Sequence, residues 1–138
     1  MTLNADLVRS RCQEIEESVR RLGQFREMTR EAFTNDQDAR DIACYRLLLA
    51  AEAALALCYH VSARRLGKVP EDYAGCFALL RDAGIIEADL AARLGRMARF
   101  RNLLVHMYWK IDYDRVYDVL QENLGDLTAF ARGMAALV

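Results

Sequence analysis

A chain of 138 residues is long enough for one domain to bury a core without disulfides or a structural metal. Hydrophobic residues make up 54%, which excludes a disordered chain, and one proline with seven glycines favours long helices. A net charge of -1 gives no bulk attraction to nucleic acid, so any such binding must rest on a local patch.

Residues 1–138 read as a single domain, with no internal repeat, low-complexity tract or linker. Cys12, Cys44, Cys58 and Cys76 lie 14 to 32 residues apart, without metal-ligand spacing, so no metal and no cofactor is expected. They read as reduced, mostly buried thiols of a cytoplasmic protein. Met1 to Asp6 have no basic segment leading into an apolar one, as a signal peptide would. No uninterrupted apolar run is long enough to span a bilayer, so no membrane association is expected.

The first helix is predicted over about Asp6 to Arg30. Leu7, Cys12, Ile15, Val19, Leu22 and Phe25 recur at helical spacing, and Arg9, Glu16, Arg20 and Glu27 form the solvated face. Thr34-Asn35-Asp36 supplies a turn and an N-cap. The second helix runs from about Gln37 to Leu66. Its middle, Leu47 to Cys58, is apolar nearly all round and marks the central helix. Gly67 closes it with a left-handed residue, and Val69 before Pro70 prevents its continuation. His60 near its end is read as structural, its positive form suiting a helix C-terminus.

A short third helix follows from about Glu71 to Asp82, with Pro70 at its start and Gly84 past its end. The fourth runs from about Glu87 to Tyr108. Asp112 caps a fifth, from about Tyr113 to Ala136, whose inward stripe is Val116, Leu120, Leu124, Leu127 and Phe130. No strand alternation occurs. The fold class is therefore all-α, a bundle of four long helices and one short helix.

The fourth helix carries the chemistry. Between Leu90 and Ile111 stand Arg93, Arg96, Arg99, Arg101 and Lys110, with no acid. His106, one of only two histidines, lies five residues after Arg101 and two before Tyr108. At about 100° per residue, Leu90, Leu94, Met97, Phe100, Leu104 and Met107 share the core face. Asn102 and His106 stack on another face, near Arg99, while Arg101 and Tyr108 lie together on a different flank. A straight helix therefore does not set Arg101 beside His106. Either the arginine swings across, or the helix distorts, or a second copy related by a two-fold axis completes the group.

The residues from Tyr73 to Tyr117 resemble the HEPN superfamily, and within it the HepT-like toxins. The resemblance rests on Arg101-x4-His106-x-Tyr108 inside Phe100-Arg101-Asn102-Leu103-Leu104-Val105-His106-Met107-Tyr108-Trp109. Tyr73-Ala74-Gly75-Cys76-Phe77-Ala78-Leu79-Leu80 and Gly84-Ile85-Ile86 lie upstream, and Ile111 to Tyr117 follow. A weaker helical match covers nearly the whole chain. The resemblance implies a homodimeric HEPN-like bundle with a metal-independent endoribonuclease site in the cleft between subunits. It also implies an MNT-type nucleotidyltransferase antitoxin as partner, which transfers AMP to the motif tyrosine. Carried over, His106 is the catalytic histidine, Arg101 its phosphate partner, Asn102 the polar residue beside it and Tyr108 the AMPylation site. Two departures stand out. Tyr45-Arg46 replaces a Glu-Arg pair, and Glu52 is the acid available where many relatives carry an aspartate.

The chemistry can be argued from the side chains themselves. Cleaving RNA without a metal needs a base at the 2'-hydroxyl and an acid at the leaving 5'-oxygen, and histidine serves either role near neutral pH. Arginine's planar fork suits the charge that develops on the phosphate. Asn102 would orient the phosphate or the imidazole. Arg93, Arg96, Arg99 and Lys110 would hold the RNA backbone, and the product would be a 2',3'-cyclic phosphate. The plainer readings are a surface histidine, a solvated arginine face, and Tyr108 and Trp109 as packing anchors. The alternative function is a non-catalytic helical subunit that binds a nucleotide or other substrate and partners a nucleotidyltransferase.

Overall fold

The computed structural model describes residues 2–138, apart from the side chain of Tyr108. The described residues form seven α-helices and no strand. They are α1 (Ala5–Arg26), α2 (Arg30–Thr34), α3 (Gln37–Val61), α4 (Tyr73–Asp82), α5 (Ala88–His106), α6 (Tyr113–Glu122) and α7 (Leu124–Ala135). A π-helical turn, Ser62–Leu66, extends α3, and a 3-10 turn, Tyr108–Lys110, follows α5.

The central helix is where its composition places it. α3 buries Ala43, Leu47, Ala50, Ala51, Ala54, Leu57, Cys58 and Val61 and contacts every other helix. Its alanines let α1 and α5 approach closely, and α1 in turn packs on α7. Gly67 and Gly84 have φ of 64° and 75°, the left-handed helix endings expected of them.

Averaged over 18 residues rather than counted as an unbroken run, Gln37–Leu66 is long and apolar enough to cross a membrane. Half of that window is buried inside the bundle, as befits a core helix.

Four expected helices are divided or shortened, each for a local reason. The first ends at Arg26, because Thr29 turns extended (ψ 158°) and its side chain accepts the Ala32 N–H at 3.1 Å. The third starts at Tyr73 rather than near Pro70. Asp72 is its cap and accepts the Gly75 N–H at 2.6 Å. The fifth breaks at Asn123, where φ of -117° and ψ of -3° depart from regular helix and the side-chain amide donates to the Asp126 carboxylate at 3.0 Å. The fourth stops at His106, where Met107 leaves helical geometry (φ -133°, ψ 41°).

Two further expectations are corrected. Cys58 and Cys76 are joined as a disulfide between α3 and α4, with Cα atoms 6.2 Å apart, so only Cys12 and Cys44 are free thiols. The pairing follows from how two helices pack, which spacing along the chain does not reveal. Burial, with Asp41 nearby, pushes the Cys44 thiol up to about 11.

His60 is not a cation capping α3. Its Nε2 accepts the backbone N–H of Asn4 at 3.0 Å, which requires the neutral ring. Burial first, and then Arg64, hold its pKa below the usual imidazole value.

Candidate functional site

The expected core face of α5 is buried at Leu94, Met97, Phe100 and Leu104, with Leu90 and Met107 half-buried at its ends. The helix is anchored against α3 and α4, and its polar faces are thereby fixed in direction.

Arg101 does not swing towards His106. It turns into the bundle, where its side chain is only 11% exposed. Its Nε donates to Glu52 on α3 and its Nη1 donates to the Asn102 side-chain oxygen at 3.0 Å. The Tyr73 ring of α4 lies 4.7 Å below the guanidinium carbon. One arginine thus meets an acid from α3, an aromatic face from α4 and an amide from its own helix. Glu52, isolated in an apolar stretch of sequence, is the counter-charge of this arginine.

Tyr73 is itself braced. Tyr59 stands edge-on to it, with centroids 6.0 Å apart at 84°. Burial, with Tyr73 and Asp72 nearby, pushes the Tyr59 phenol pKa up, so it stays neutral. Cys58, adjacent to Tyr59, is bonded to Cys76, three residues beyond Tyr73.

His106 is the last residue of α5 and is exposed. No hydrogen bond or ion pair links it to Arg101 within the chain. Asn102 is half-buried on the histidine's face of the helix, its oxygen committed to Arg101 and its N–H groups directed to neither. Tyr108 opens the 3-10 turn after the helix, and its side chain lies outside the described residues.

The flanking cations divide into two kinds. Arg96, Arg99 and Lys110 are exposed. Arg93 is tied by its Nε to Asp126, at 2.8 Å. Asp126 is 8% exposed, at the start of α7. Arg93 and Arg96 also border a groove between α5 and α6 of about 380 Å³, with Arg115, Asp118 and Glu122 on its other wall. Among the described residues, no three His, Cys, Asp or Glu side chains converge as metal ligands would.

Sequence reasoning missed Tyr73 as a contact of Arg101. The available signal was an aromatic opening the helix before the motif, but spacing along the chain gives no reason for it to reach α5. It also missed Asp126 as the partner of Arg93. Asp126 stands at the edge of the apolar stripe in the first turn of the last helix, and spacing alone gives no sign of its partner.

Four likenesses to known proteins bear on this arrangement. A protein from Shewanella oneidensis described as "mRNA nuclease HepT" is 28% identical over 98 residues, 71% of this chain and 74% of that one. A putative RNase from Archaeoglobus fulgidus is 32% identical over 78 residues, 56% of this chain and 58% of that one. The fold superposes on the tri-AMPylated Shewanella oneidensis HEPN toxin, solved in complex with an MNT antitoxin. The TM-score is 0.86 at 24% identity, over 95% of this chain and 98% of that one. The model of the ribonuclease HepT-like family matches residues 15–134, which take in α3, the braced arginine, the exposed histidine and the helices behind them. The family model covers most of the chain, and the chain belongs to the ribonuclease HepT-like family.

Proposed function

We propose that this chain, as one HEPN-like domain over residues 1–138, is the ribonuclease toxin of a toxin–antitoxin pair. The observation that carries the reading is the state of the motif helix. Arg101 is fixed by Glu52, Asn102 and Tyr73, while His106, one turn and a half along, is left exposed at the helix end. Metal-independent cleavage of a phosphodiester needs a fixed cation and an open imidazole, and here they lie on different faces of one helix, so a second copy must bring them together.

His106 moves the protons, Arg101 holds the charge that builds on the phosphate, and Asn102 joins the two faces. Arg96, Arg99 and Lys110 run along the outside as contacts for the RNA backbone, and Arg93 lends charge from its pair with Asp126. The reaction is attack of the 2'-oxygen on phosphorus with departure of the 5'-oxygen, leaving a 2',3'-cyclic phosphate.

One chain holds one histidine of this kind, and acid and base are both required. A homodimer supplies the second. Its support is the apolar surface that the bundle leaves uncovered. Ile42 and Tyr45 on α3 are 45% and 59% exposed, and Leu103 and Val105 on the motif helix are 41% and 36% exposed.

The partner is an MNT-type nucleotidyltransferase antitoxin that transfers AMP to Tyr108, as the solved Shewanella oneidensis complex of an AMPylated toxin with an MNT antitoxin suggests. An AMP group beside the cleft adds a negative charge where RNA phosphate would lie. RNA places the work in the cytoplasm.

The burial of Arg101, 11% exposed and already carrying two hydrogen bonds, favours a second reading. In that reading the chain is a non-catalytic helical subunit that holds a nucleotide and docks the nucleotidyltransferase.

Purified chain incubated with RNA in EDTA separates the two. The ribonuclease reading expects cleavage that His106→Ala abolishes while helicity and dimer mass persist, and cleavage unchanged in His106→Ala removes His106 from the mechanism. After incubation with the nucleotidyltransferase and ATP, Tyr108 should gain mass in whole AMP units. An unmodified Tyr108 would remove that route of neutralisation.

A further inference from the structure

We infer that Tyr73 is a positioning residue for Arg101. It sets the plane in which the guanidinium meets a scissile phosphate, and it touches no substrate itself. This rests on the ribonuclease reading of the motif.

An arginine side chain has four rotatable bonds, and its usefulness in a transition state depends on how few orientations it keeps. Glu52 fixes the Nε edge of Arg101 and Asn102 fixes Nη1. Two edge contacts still allow the plane to rock about the line joining them. The Tyr73 ring removes that freedom. It lies 4.7 Å from the guanidinium carbon, within the range where a ring face attracts a cation. With Nε and one N–H of Nη1 engaged and one face covered, Nη2 and the second N–H of Nη1 are left to donate to phosphate oxygens.

The platform is built to stay in place. Tyr73 is the first residue of α4, directly after the Asp72 cap, so the helix start fixes its backbone. Tyr59 packs edge-on against its ring. The Cys58–Cys76 bond ties the first turn of α4 to the part of α3 that carries Tyr59. The arginine's orientation is therefore determined by α3 and α4 together, and the motif helix alone does not specify it.

The contact needs an aromatic face and no hydroxyl. The full-length chain carrying Tyr73→Phe should cleave RNA within about twofold of the parent, because the ring is retained. Tyr73→Leu removes the face and should lower kcat about tenfold to a hundredfold, the scale of loss from a misplaced catalytic group, with KM changed far less. A second readout is independent of turnover. The Arg101 Nε–H resonance in a ¹⁵N spectrum, assigned by its loss in Arg101→Ala, should remain sharp and ring-shifted in Tyr73→Phe. In Tyr73→Leu it should broaden or move to the position of a solvated arginine.

The outcomes are distinct. Cleavage by Arg101→Ala at the parent rate overturns the ribonuclease reading of Arg101, and Tyr73 with it. Loss of cleavage in Arg101→Ala together with parent kcat in Tyr73→Leu overturns the Tyr73 proposal alone. An Arg101 Nε–H resonance unchanged in Tyr73→Leu does the same, whatever the melting temperature of that variant.

Discussion

Glu52 on α3 accepts a hydrogen bond from Nε of Arg101 on α5, across 49 residues of sequence. The arginine is nearly buried and the glutamate is 45% exposed, so the pair lies between a solvated surface bridge and a buried one. Glu52→Gln keeps the shape and an acceptor but removes the charge. Its cost in stability should be about 1 kcal/mol, discounted from a buried pair because water reaches the glutamate. Its cost in RNA cleavage should be larger, about tenfold, because Arg101 loses the contact that fixes its Nε edge. Thermal melts beside cleavage kinetics measure both, and equal small losses would mark the pair as structural only.

The cations around the motif should separate by experiment as they do by partner. Arg96→Ala and Arg99→Ala remove exposed charges, should leave melting unchanged, and should weaken RNA binding. Each should reduce the salt dependence of binding by about 0.7 in the log–log slope, the value for one phosphate contact on a single strand. Arg93→Ala strips the ion-pair partner from Asp126, which keeps only Asn123. It should destabilise the fold by about 2 kcal/mol, less than a wholly buried pair because Arg93 is 41% exposed. Binding titrations at several salt concentrations, with denaturant melts, test the division.

The Cys58–Cys76 bond is of a kind rare in reducing compartments, so its state is worth measuring directly. Alkylation of the denatured protein without reductant should modify two thiols, Cys12 and Cys44, and after reduction all four. Four modified thiols without reductant would show the pair open. The bond spans 18 residues of sequence, and Cys58→Ser with Cys76→Ser should cost about 3 kcal/mol by the entropy of closing such a loop. Loss of activity in that double variant should follow the loosening of α4.

His60 makes stability depend on pH. Its ring accepts the Asn4 N–H and must be neutral, and its folded pKa is below its unfolded value. The unfolded chain therefore binds the proton more readily, and stability rises with pH across that interval. The contribution is fully present above about pH 6.5 and is lost as pH falls through the lower folded value. Denaturant unfolding at pH 7 and pH 5 should show a smaller pH dependence in His60→Gln, which keeps an acceptor without the titration.

Much of this was legible in the chain. Helical spacing places most of each apolar stripe, although on α1 Val8 and Ser18 are buried where Leu7 and Val19 are expected, and the all-round apolar run of α3 marks the centre of the bundle. The R-x4-H-x-Y spacing with its flanks points to the family. What could not be read is what depends on packing between distant segments. Asn123 looks like any polar residue in a helix until its amide turns to Asp126. Thr29 is an ordinary threonine until the chain turns extended there. Cys58 and Cys76 have unremarkable spacing, and only the meeting of α3 and α4 pairs them. The site divides the same way. Arg101, Asn102 and His106 are named by the family resemblance of the motif stretch, but Tyr73 and the direction in which Arg101 turns follow from the third dimension.

The central claim is that His106 and the braced Arg101 cleave a phosphodiester without a metal. The most direct measurement is the chemistry of the RNA ends produced by purified chain in EDTA, compared with those from folded His106→Ala and Arg101→Ala. The account predicts 2',3'-cyclic phosphate and 5'-hydroxyl ends from the parent and none from either variant. Ends of another kind, or the same ends from His106→Ala, would contradict it.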